Sequence, residues 1–146
     1  MLQRISPLLS PELLKVLCEM GHGDEIVLAD ANFPAESLSR TTTYGNAIRA
    51  DGMRIPALLE AILPLFPLDQ YDRGHFVLME VVPGDSIQPV IWREYEQLAK
   101  REEPNVNIAY LERFAFYDRA RSAYAIIATG ETAQYANIIL KKGVVR

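Results

Sequence analysis

The 146-residue chain contains only one cysteine, Cys18, and two histidines, His22 and His75. A single cysteine excludes an internal disulfide and a zinc site built from several cysteines. Two histidines without a His-Glu-x-x-His motif argue against a histidine-rich metal centre. We therefore expect a protein of a reducing compartment that binds no metal.

Long apolar runs and a strong charge of either sign are also missing. No apolar stretch approaches the ~20 residues that span a bilayer, and the first residues lack the apolar segment of a secretory signal. We therefore expect a cytoplasmic protein that does not enter a membrane. The formal net charge of −4 provides no basic face, which argues against nucleic-acid binding. Gly-rich phosphate and dinucleotide motifs are absent, as is the Gly-x-Ser-x-Gly nucleophile motif.

Apolar and polar residues alternate in segments that predict one α/β domain covering residues 1–146. Helices and strands alternate along the chain, which is typical of a layered fold with helices on both faces of a sheet. The connection 130–136 is too short for a crossover, so the two last strands are expected to pair antiparallel in a mixed sheet. Residues 37–46 are expected to form a surface loop. The predicted helices cover residues 11–20, 55–66, 90–101 and 115–121, and the predicted strands cover residues 25–30, 75–82, 107–112, 124–129 and 137–140.

The first helix has clear signals at both ends. Ser10 can cap its free amides, Pro11 suits the first helical position, and Glu12 meets the positive end of the helix dipole. Gly21 is expected to end the helix in a left-handed conformation.

His22 and Asp30 form the first candidate site. His22 stands between Gly21 and Gly23, where the backbone leaves room for a ligand, and an imidazole can give or take a proton near neutral pH. Asp30 follows an apolar strand, and ligands of α/β sheets collect at the carboxyl ends of strands. Its carboxylate can accept hydrogen bonds from sugar hydroxyls or hold an imidazole in one tautomer. An exposed turn in which His22 has no role explains the same pattern equally well.

Three further groups are candidates on their chemistry. Arg113 offers fixed hydrogen-bond donors, and Tyr117 is a weak acid or base. Asn137, after Tyr135 and Ala136, has the donor and acceptor that suit a hydroxyl group. Asp69 follows a Pro-rich segment and forms a weaker candidate. Each group also has a structural alternative. It is a salt bridge with core aromatics for Arg113 and Tyr117, a polar turn for Asn137, and an exposed loop for Asp69.

These residues together resemble the RbsD/FucU family of sugar mutarotases and pyranases. The resemblance covers nearly the whole chain in order, and the Gly-His-Gly-Asp-Glu and Arg-Phe-x-Phe-Tyr blocks are more similar to its fucose branch than to its ribose branch. The segments that carry it are 10–14, 20–30, 32–35, 48–52, 113–117, 130–131 and 135–143.

The resemblance implies a three-layer α/β/α fold and an isomerase that interconverts the anomers of a free monosaccharide, with L-fucose as the leading substrate and no cofactor. It also implies a ring-like homo-oligomer with sugar sites near subunit boundaries. His22 would be the proton donor, and Tyr117 and Asp69 would assist catalysis. A D-ribose pyranase, a non-catalytic sugar-binding module and a purely structural oligomer are the alternatives. The residues implied to contact substrate are Asp30, Arg113, Tyr135, Ala136 and Asn137.

Two features depart from the family pattern. Ala136 replaces the glycine of a Tyr-Gly-Asn triplet, which is tolerated at negative φ and strained at positive φ. The loop 39–46 is longer than in bacterial relatives, and its own Tyr-Gly-Asn triplet, at 44–46, receives no role. The expected mechanism has His22 protonate the ring oxygen while Asp30, Asp69 or Tyr117 removes the anomeric proton.

Overall fold

The computed structural model describes the whole chain, residues 1–146. All the predicted helices and strands are confirmed, whereas the helix Ala35–Ser39 and the strand Ala47–Ala50 were not predicted. A 3₁₀ turn, Leu63–Leu65, extends the helix Ile55–Ile62. The elements are α1 (Pro11–Glu19), β1 (Glu25–Ala29), α2 (Ala35–Ser39), β2 (Ala47–Ala50), α3 (Ile55–Ile62), β3 (Phe76–Met79), α4 (Ile91–Glu102), β4 (Ile108–Leu111), α5 (Arg113–Arg121), β5 (Ala125–Thr129) and β6 (Ile138–Lys141).

The six strands form one mixed sheet in the order β2-β5-β1-β6-β3-β4, as the predicted α/β class requires. Only β6 runs antiparallel to its neighbours, β1 and β3. The predicted pairing of β5 with β6 is wrong, because β1 lies between them and pairs with both. The connection 130–136 spans the two strand spacings, about 10 Å, by passing over the end of β1. There the Ala31 N–H donates to the Glu131 carbonyl at 2.8 Å.

The sheet separates two apolar cores, which gives the predicted three layers. Alternate residues of β1 point to opposite faces, so Ile26 and Leu28 enter one core and Val27 and Ala29 enter the other. The larger core packs α1, α3 and α4 against the sheet, and the smaller one packs α2 and α5. Strands buried on both faces account for the continuous apolar runs in the sequence.

Five strands are parallel, so their carboxyl ends share one edge of the sheet, called here the carboxyl edge. Their starting ends share the opposite edge, called the amino edge. Because β6 is antiparallel, it begins at the carboxyl edge and ends at the amino edge. This arrangement decides which polar residues can meet.

The predicted cap of α1 is confirmed, because Ser10 Oγ accepts from the Leu13 N–H at 3.1 Å. The predicted left-handed end at Gly21 is wrong. The helix ends at Glu19, its cap residue Met20 has an extended backbone, and the positive φ, 88°, falls on Gly23. The reason is local, since the Gly21 N–H donates to Asp24 Oδ2 at 2.7 Å and thereby tightens the turn around His22.

The prediction of a loop over residues 37–46 is wrong in its first part. That stretch begins inside α2, and Ser39 and Thr42 are buried. The N–H groups of Thr43 and Tyr44 donate to the carbonyls of residues 123 and 124, which fixes the loop against the chain before β5. No helix of the structure combines the length and the hydropathy needed to cross a bilayer.

Candidate functional site

A polar cavity of about 230 Å³ lies at the carboxyl edge of the sheet. It brings together five of the eight residues that the sequence proposed for the site, namely Asp30, Arg113, Tyr117, Tyr135 and Asn137. The other lining residues, which sequence reasoning did not assign to a site, are Asn32, Phe33, Met79, Val82, Asp85 and Gln134.

Asp30 and Asn137 form the floor of this cavity. Asp30 follows β1 and Asn137 precedes β6, so antiparallel pairing places them side by side. The Asp30 N–H donates to Asn137 Oδ1 at 2.7 Å, and Asp30 Oδ1 accepts from the Asn32 N–H at 3.0 Å. Burial raises the pKa of Asp30 above its ordinary value, and the surrounding N–H donors offset this only in part. The Asp30 carboxylate is therefore more basic than that of an exposed aspartate.

Arg113 and Tyr117 reach the cavity from the first two turns of α5. Glu112 begins that helix by accepting from the Phe114 N–H at 3.0 Å. Residues four apart lie on one face of a helix, which aims both side chains the same way. The Arg113 guanidinium lies 4.6 Å from the ring centroid of Phe114 and makes no salt bridge within the chain. Its N–H donors are therefore available to a ligand.

Tyr135 is held in an unusual conformation beside the cavity. Its φ is 57°, a left-handed value that costs energy for a residue with a side chain. Its carbonyl accepts from Trp92 Nε1 at 2.8 Å, and its hydroxyl donates to Asp85 Oδ2 at 2.6 Å. That hydroxyl lowers the pKa of Asp85. Asp85 could have been found from the sequence, because it closely follows the apolar strand predicted over residues 75–82.

Ala136 lies below the cavity surface. Its side chain is fully buried, and its carbonyl accepts from the Tyr95 hydroxyl at 2.8 Å. The positive φ of this segment falls on Tyr135, so alanine is tolerated at position 136 without strain. Only the Ala136 N–H faces the site, toward the Asp30 carboxylate.

His22 and Asp69 form a pair at the amino edge, away from this cavity. His22 Nε2 lies 3.1 Å from Asp69 Oδ1, and the Tyr71 ring lies 5.6 Å from the imidazole. The Gly23 N–H donates to the carbonyl of Lys142, at the far end of β6 from Asn137. The four residues of β6 separate those two positions, and the five steps between them span about 17 Å. One chain therefore does not bring His22 into contact with the polar cavity.

The geometry of the pair leaves one imidazole nitrogen free. The Asp69 side chain is 4% exposed and that of His22 is 49% exposed. Burial acts to raise the pKa of Asp69, but the Tyr71 N–H and His22 outweigh it, and the pKa lies below its usual value. An ionised Asp69 accepts from Nε2–H, so Nδ1 of His22 is left to exchange a proton.

The other histidine supports this pair from inside the fold. His75 is buried, its Nε2 accepts from the Asn107 N–H at 2.9 Å, and its Nδ1–H donates to the Asp69 carbonyl. Both ring nitrogens are thus engaged, and His75 fixes the backbone that carries the Asp69 carboxylate.

Comparison with known proteins agrees with this fold and this chemistry. The model of the RbsD / FucU transport protein family matches residues 3–145. The fucose mutarotase of Danio rerio is 53% identical over 147 residues, which cover 99% of this chain and 94% of that protein. The L-fucose mutarotase of Histophilus somni strain 2336 is 50% identical, covering 99% of this chain and 97% of that protein.

Solved structures show the same relationship. FucU from Bifidobacterium longum superposes with a TM-score of 0.92 at 51% identity, covering 97% of this chain and 99% of that one. The fucose mutarotase of Streptococcus pneumoniae, in complex with L-fucose, gives a TM-score of 0.91 at 53% identity, covering 99% of this chain and all of that one. The resemblance inferred from sequence is confirmed, and the chain belongs to the RbsD/FucU family.

Proposed function

We propose that this protein is a mutarotase that interconverts the α and β anomers of free L-fucose. The observation that carries the proposal is its near full-length identity, at or above 50%, to curated fucose mutarotases. The polar cavity supports it, because it combines a carboxylate, a guanidinium and an amide at one edge of the sheet. The reaction breaks and re-forms one C–O bond with two proton transfers and no change of oxidation state, so it requires no cofactor, and we expect it to take place in the cytoplasm.

The cavity suits the hydroxyl groups of a pyranose. A sugar hydroxyl both donates and accepts, and Asp30 accepts, Arg113 donates, and Asn137 offers both functions. Arg113 makes no salt bridge within the chain, so binding a sugar breaks no existing ion pair. We assign the ring hydroxyls to these three residues, with Tyr117 and Tyr135 at the rim.

A complete site requires a second copy of the chain. Ring opening needs an acid at the ring oxygen, and His22 lies at the opposite end of β6 from the cavity of its own chain, about 17 Å away along the strand. We propose that His22 and Asp69 of one copy face the cavity of the next. A contact that joins one edge of a subunit to the opposite edge of its neighbour is head-to-tail, and it generates a ring when the rotation closes. The proposed assembly is therefore a ring-like homo-oligomer.

Exposed aromatic groups at both edges support this contact. Tyr71 is 77% exposed beside His22, and Phe114 is 60% exposed beside Arg113. Aromatic side chains and arginine are enriched in the contact surfaces between subunits. The apolar groups that would be covered thus lie next to the two halves of the proposed site.

Ring opening follows from these groups by two proton transfers. Asp30 removes the proton of the anomeric hydroxyl, and the bond between the anomeric carbon and the ring oxygen breaks. The electron pair goes to the ring oxygen, which takes a proton from the His22 imidazolium of the adjacent copy. The buried Asp69 carboxylate accepts from the Nε2–H of that ring, which leaves Nδ1–H to give up the proton.

Ring closure restores both groups. Rotation about the bond next to the aldehyde turns its other face to the hydroxyl. The hydroxyl attacks the carbonyl carbon and returns its proton to His22, while protonated Asp30 gives its proton to the carbonyl oxygen. The product is the opposite anomer, and every proton is back in place. Positioned acid–base groups of this kind contribute about 10²–10⁴-fold in rate.

Saturation-transfer NMR on L-fucose tests the proposal directly. Catalytic amounts of the protein should transfer saturation from one anomeric proton signal to the other faster than buffer does. D-Ribose in a parallel sample tests pyranase activity. Binding of L-fucose without faster exchange would reject the mutarotase in favour of a sugar-binding module.

A further inference from the structure

The main chain around Asp30 is held by a buried threonine at the end of the neighbouring strand. Thr129 is the last residue of β5, and its hydroxyl donates to the Ala29 carbonyl at 2.7 Å. The same hydroxyl oxygen accepts from the Glu131 N–H at 3.2 Å. The Glu131 carbonyl in turn accepts from the Ala31 N–H. The turn formed by residues 129–131 therefore holds the chain on both sides of Asp30.

These contacts complete the hydrogen bonding of the two peptide groups that flank Asp30. The Asp30 N–H donates to Asn137 Oδ1 at 2.7 Å, and the Asp30 carbonyl accepts from the Phe33 N–H at 3.2 Å. The carbonyl before Asp30 and the N–H after it are the two groups that the turn holds. All four backbone groups are thus paired, which fixes the direction in which the carboxylate leaves the strand.

A buried carboxylate anchors the turn itself. Glu131 Oε1 accepts from the Ile55 N–H, at the start of α3, at 3.2 Å, and Oε2 accepts from the Ala133 N–H at 3.1 Å. The Arg54 guanidinium lies 3.4 Å from the same carboxylate. A buried carboxylate that loses such partners costs free energy, so the turn keeps its position relative to α3.

Resting on the proposed function, we propose that Thr129 is a positioning residue for anomer exchange and acts through Asp30. Thr129 does not line the polar cavity, so it is not placed to contact a sugar there. Asp30, the proposed base, must lie within hydrogen-bond reach of the anomeric hydroxyl to remove its proton. A displacement of about 1 Å at a reacting group can cost roughly 100-fold in rate. The Thr129 hydroxyl prevents that displacement by holding the end of β1.

Two substitutions at position 129 separate the hydroxyl from the space that the side chain fills. Valine has nearly the shape of threonine but leaves the Ala29 carbonyl and the Glu131 N–H without a partner. Thr129→Val should lower kcat for L-fucose about 10- to 100-fold, with a smaller change in KM, because Arg113 still binds the sugar. Serine keeps the hydroxyl and loses only the methyl group. Thr129→Ser should therefore restore most of the wild-type kcat.

Thr42 provides a matched control in the loop that follows α2. It is also buried, and its hydroxyl donates to the Ser39 carbonyl at 2.6 Å and accepts from the Gly45 N–H at 3.1 Å. Thr42→Val removes the same two kinds of hydrogen bond at a residue that does not hold Asp30. It should lower the unfolding temperature as Thr129→Val does, but it should leave kcat unchanged.

Glu131→Gln changes the same turn from its anchor. The glutamine oxygen can still accept from the Ile55 N–H, but its amide N–H₂ then faces the Ala133 N–H, donor against donor. The turn should shift, and kcat should fall in the same direction as in Thr129→Val. This variant decides the question if Thr129→Val does not fold, and a wild-type kcat in folded Glu131→Gln would then reject the proposed role of the turn.

The experiment measures kcat and KM for L-fucose by saturation-transfer NMR, together with thermal unfolding, in wild type and all four variants. A kcat that falls in Thr129→Val, recovers in Thr129→Ser and stays at the wild-type value in Thr42→Val supports the inference. A folded Thr129→Val with wild-type kcat would overturn it. Equal losses of kcat in the two valine variants would also overturn it, because they would reflect general destabilisation. A wild-type protein without anomer exchange would instead reject the proposed function.

Discussion

His22 and Asp30 lie at opposite ends of β1, one at each edge of the sheet. Asp30 lines the polar cavity, whereas His22 pairs with Asp69 where β6 ends. The full length of β1 separates the two residues, so no side-chain rotation can bring these groups together within one chain. Acid and base therefore act on one sugar only if two copies of the chain supply them.

Mixed oligomers should reveal this sharing. His22→Ala removes the acid from one half of the site, and Arg113→Ala removes a donor from the other half. Each variant alone should be nearly inactive. Co-expressed and purified as mixed rings, they should recover partial anomer exchange, because some boundaries then join an intact His22 to an intact cavity.

Two copies of the same variant, carrying different tags and purified together, are the control and should remain inactive. Mixed rings without recovered activity would mean that each site belongs to one chain. Light scattering of the wild type checks the oligomer itself, and a monomer in solution would contradict the shared site.

Loss of His22 should affect the chemistry more than the fold. His22→Ala should slow the exchange of L-fucose anomers by at least ~100-fold, since it removes the proposed proton donor. His22→Gln is the sharper comparison, because glutamine can still donate to Asp69 but cannot carry a proton. Both variants should be inactive with nearly wild-type unfolding temperatures. An active His22→Gln would show that His22 acts only through its hydrogen bond to Asp69 and not as the proton donor.

Most of the fold could be predicted from the sequence because its signals are local. Ser10 and Pro11 mark a helix start, and the apolar run from Ile26 to Ala29 marks a buried strand. β2 was missed, since exposed Arg49 interrupts its four residues and its place in the sheet comes from pairing with the distant strand β5. The wrong pairing of β6 has the same origin, because strand order depends on contacts between distant segments.

The candidate site could be predicted by residue type but not by location. Both His22 and Asp30 were predicted as site residues from their chemistry. Their spacing in the sequence does not show that they lie at opposite ends of the same strand. Asp85 was missed for a different reason. It follows Pro83 and Gly84, a pattern typical of a turn, and its bond to Tyr135 spans fifty residues of sequence.

Asp→Asn substitution at two carboxylates of the cavity should change the unfolding temperature in opposite directions. Burial raises the pKa of Asp30 in the folded protein, so ionised Asp30 lowers the free energy of unfolding. This loss develops as the pH rises from the ordinary pKa of an aspartate, about 4, through the raised pKa of the folded state. Asp30→Asn should therefore raise the unfolding temperature at neutral pH while reducing anomer exchange. This is the exchange of stability for function expected at a buried active-site charge.

The Tyr135 hydroxyl lowers the pKa of Asp85, so ionised Asp85 adds stability at neutral pH that is lost as the pH falls through its folded pKa. Asp85→Asn weakens a charge-assisted hydrogen bond and should lower the unfolding temperature at pH 7. Thermal unfolding of both variants at pH 7 and near pH 3 checks the two signs. A stabilised Asp85→Asn or a destabilised, fully active Asp30→Asn would contradict the assignment.

Gly143 should control the position of the Asp69 carboxylate. A Cβ at Gly143 would lie 2.5 Å from the carbonyl oxygen of Leu68, the residue before Asp69, so backbone must shift to admit it. Gly143→Ala should destabilise the fold by about 1–3 kcal/mol, as overpacking does, and slow anomer exchange by displacing Asp69 from His22. Gly52→Ala is the matched control, because nothing lies within 4 Å of its added Cβ. Urea unfolding and saturation-transfer NMR measure both effects, and wild-type exchange in Gly143→Ala would show that the His22–Asp69 pair tolerates this shift.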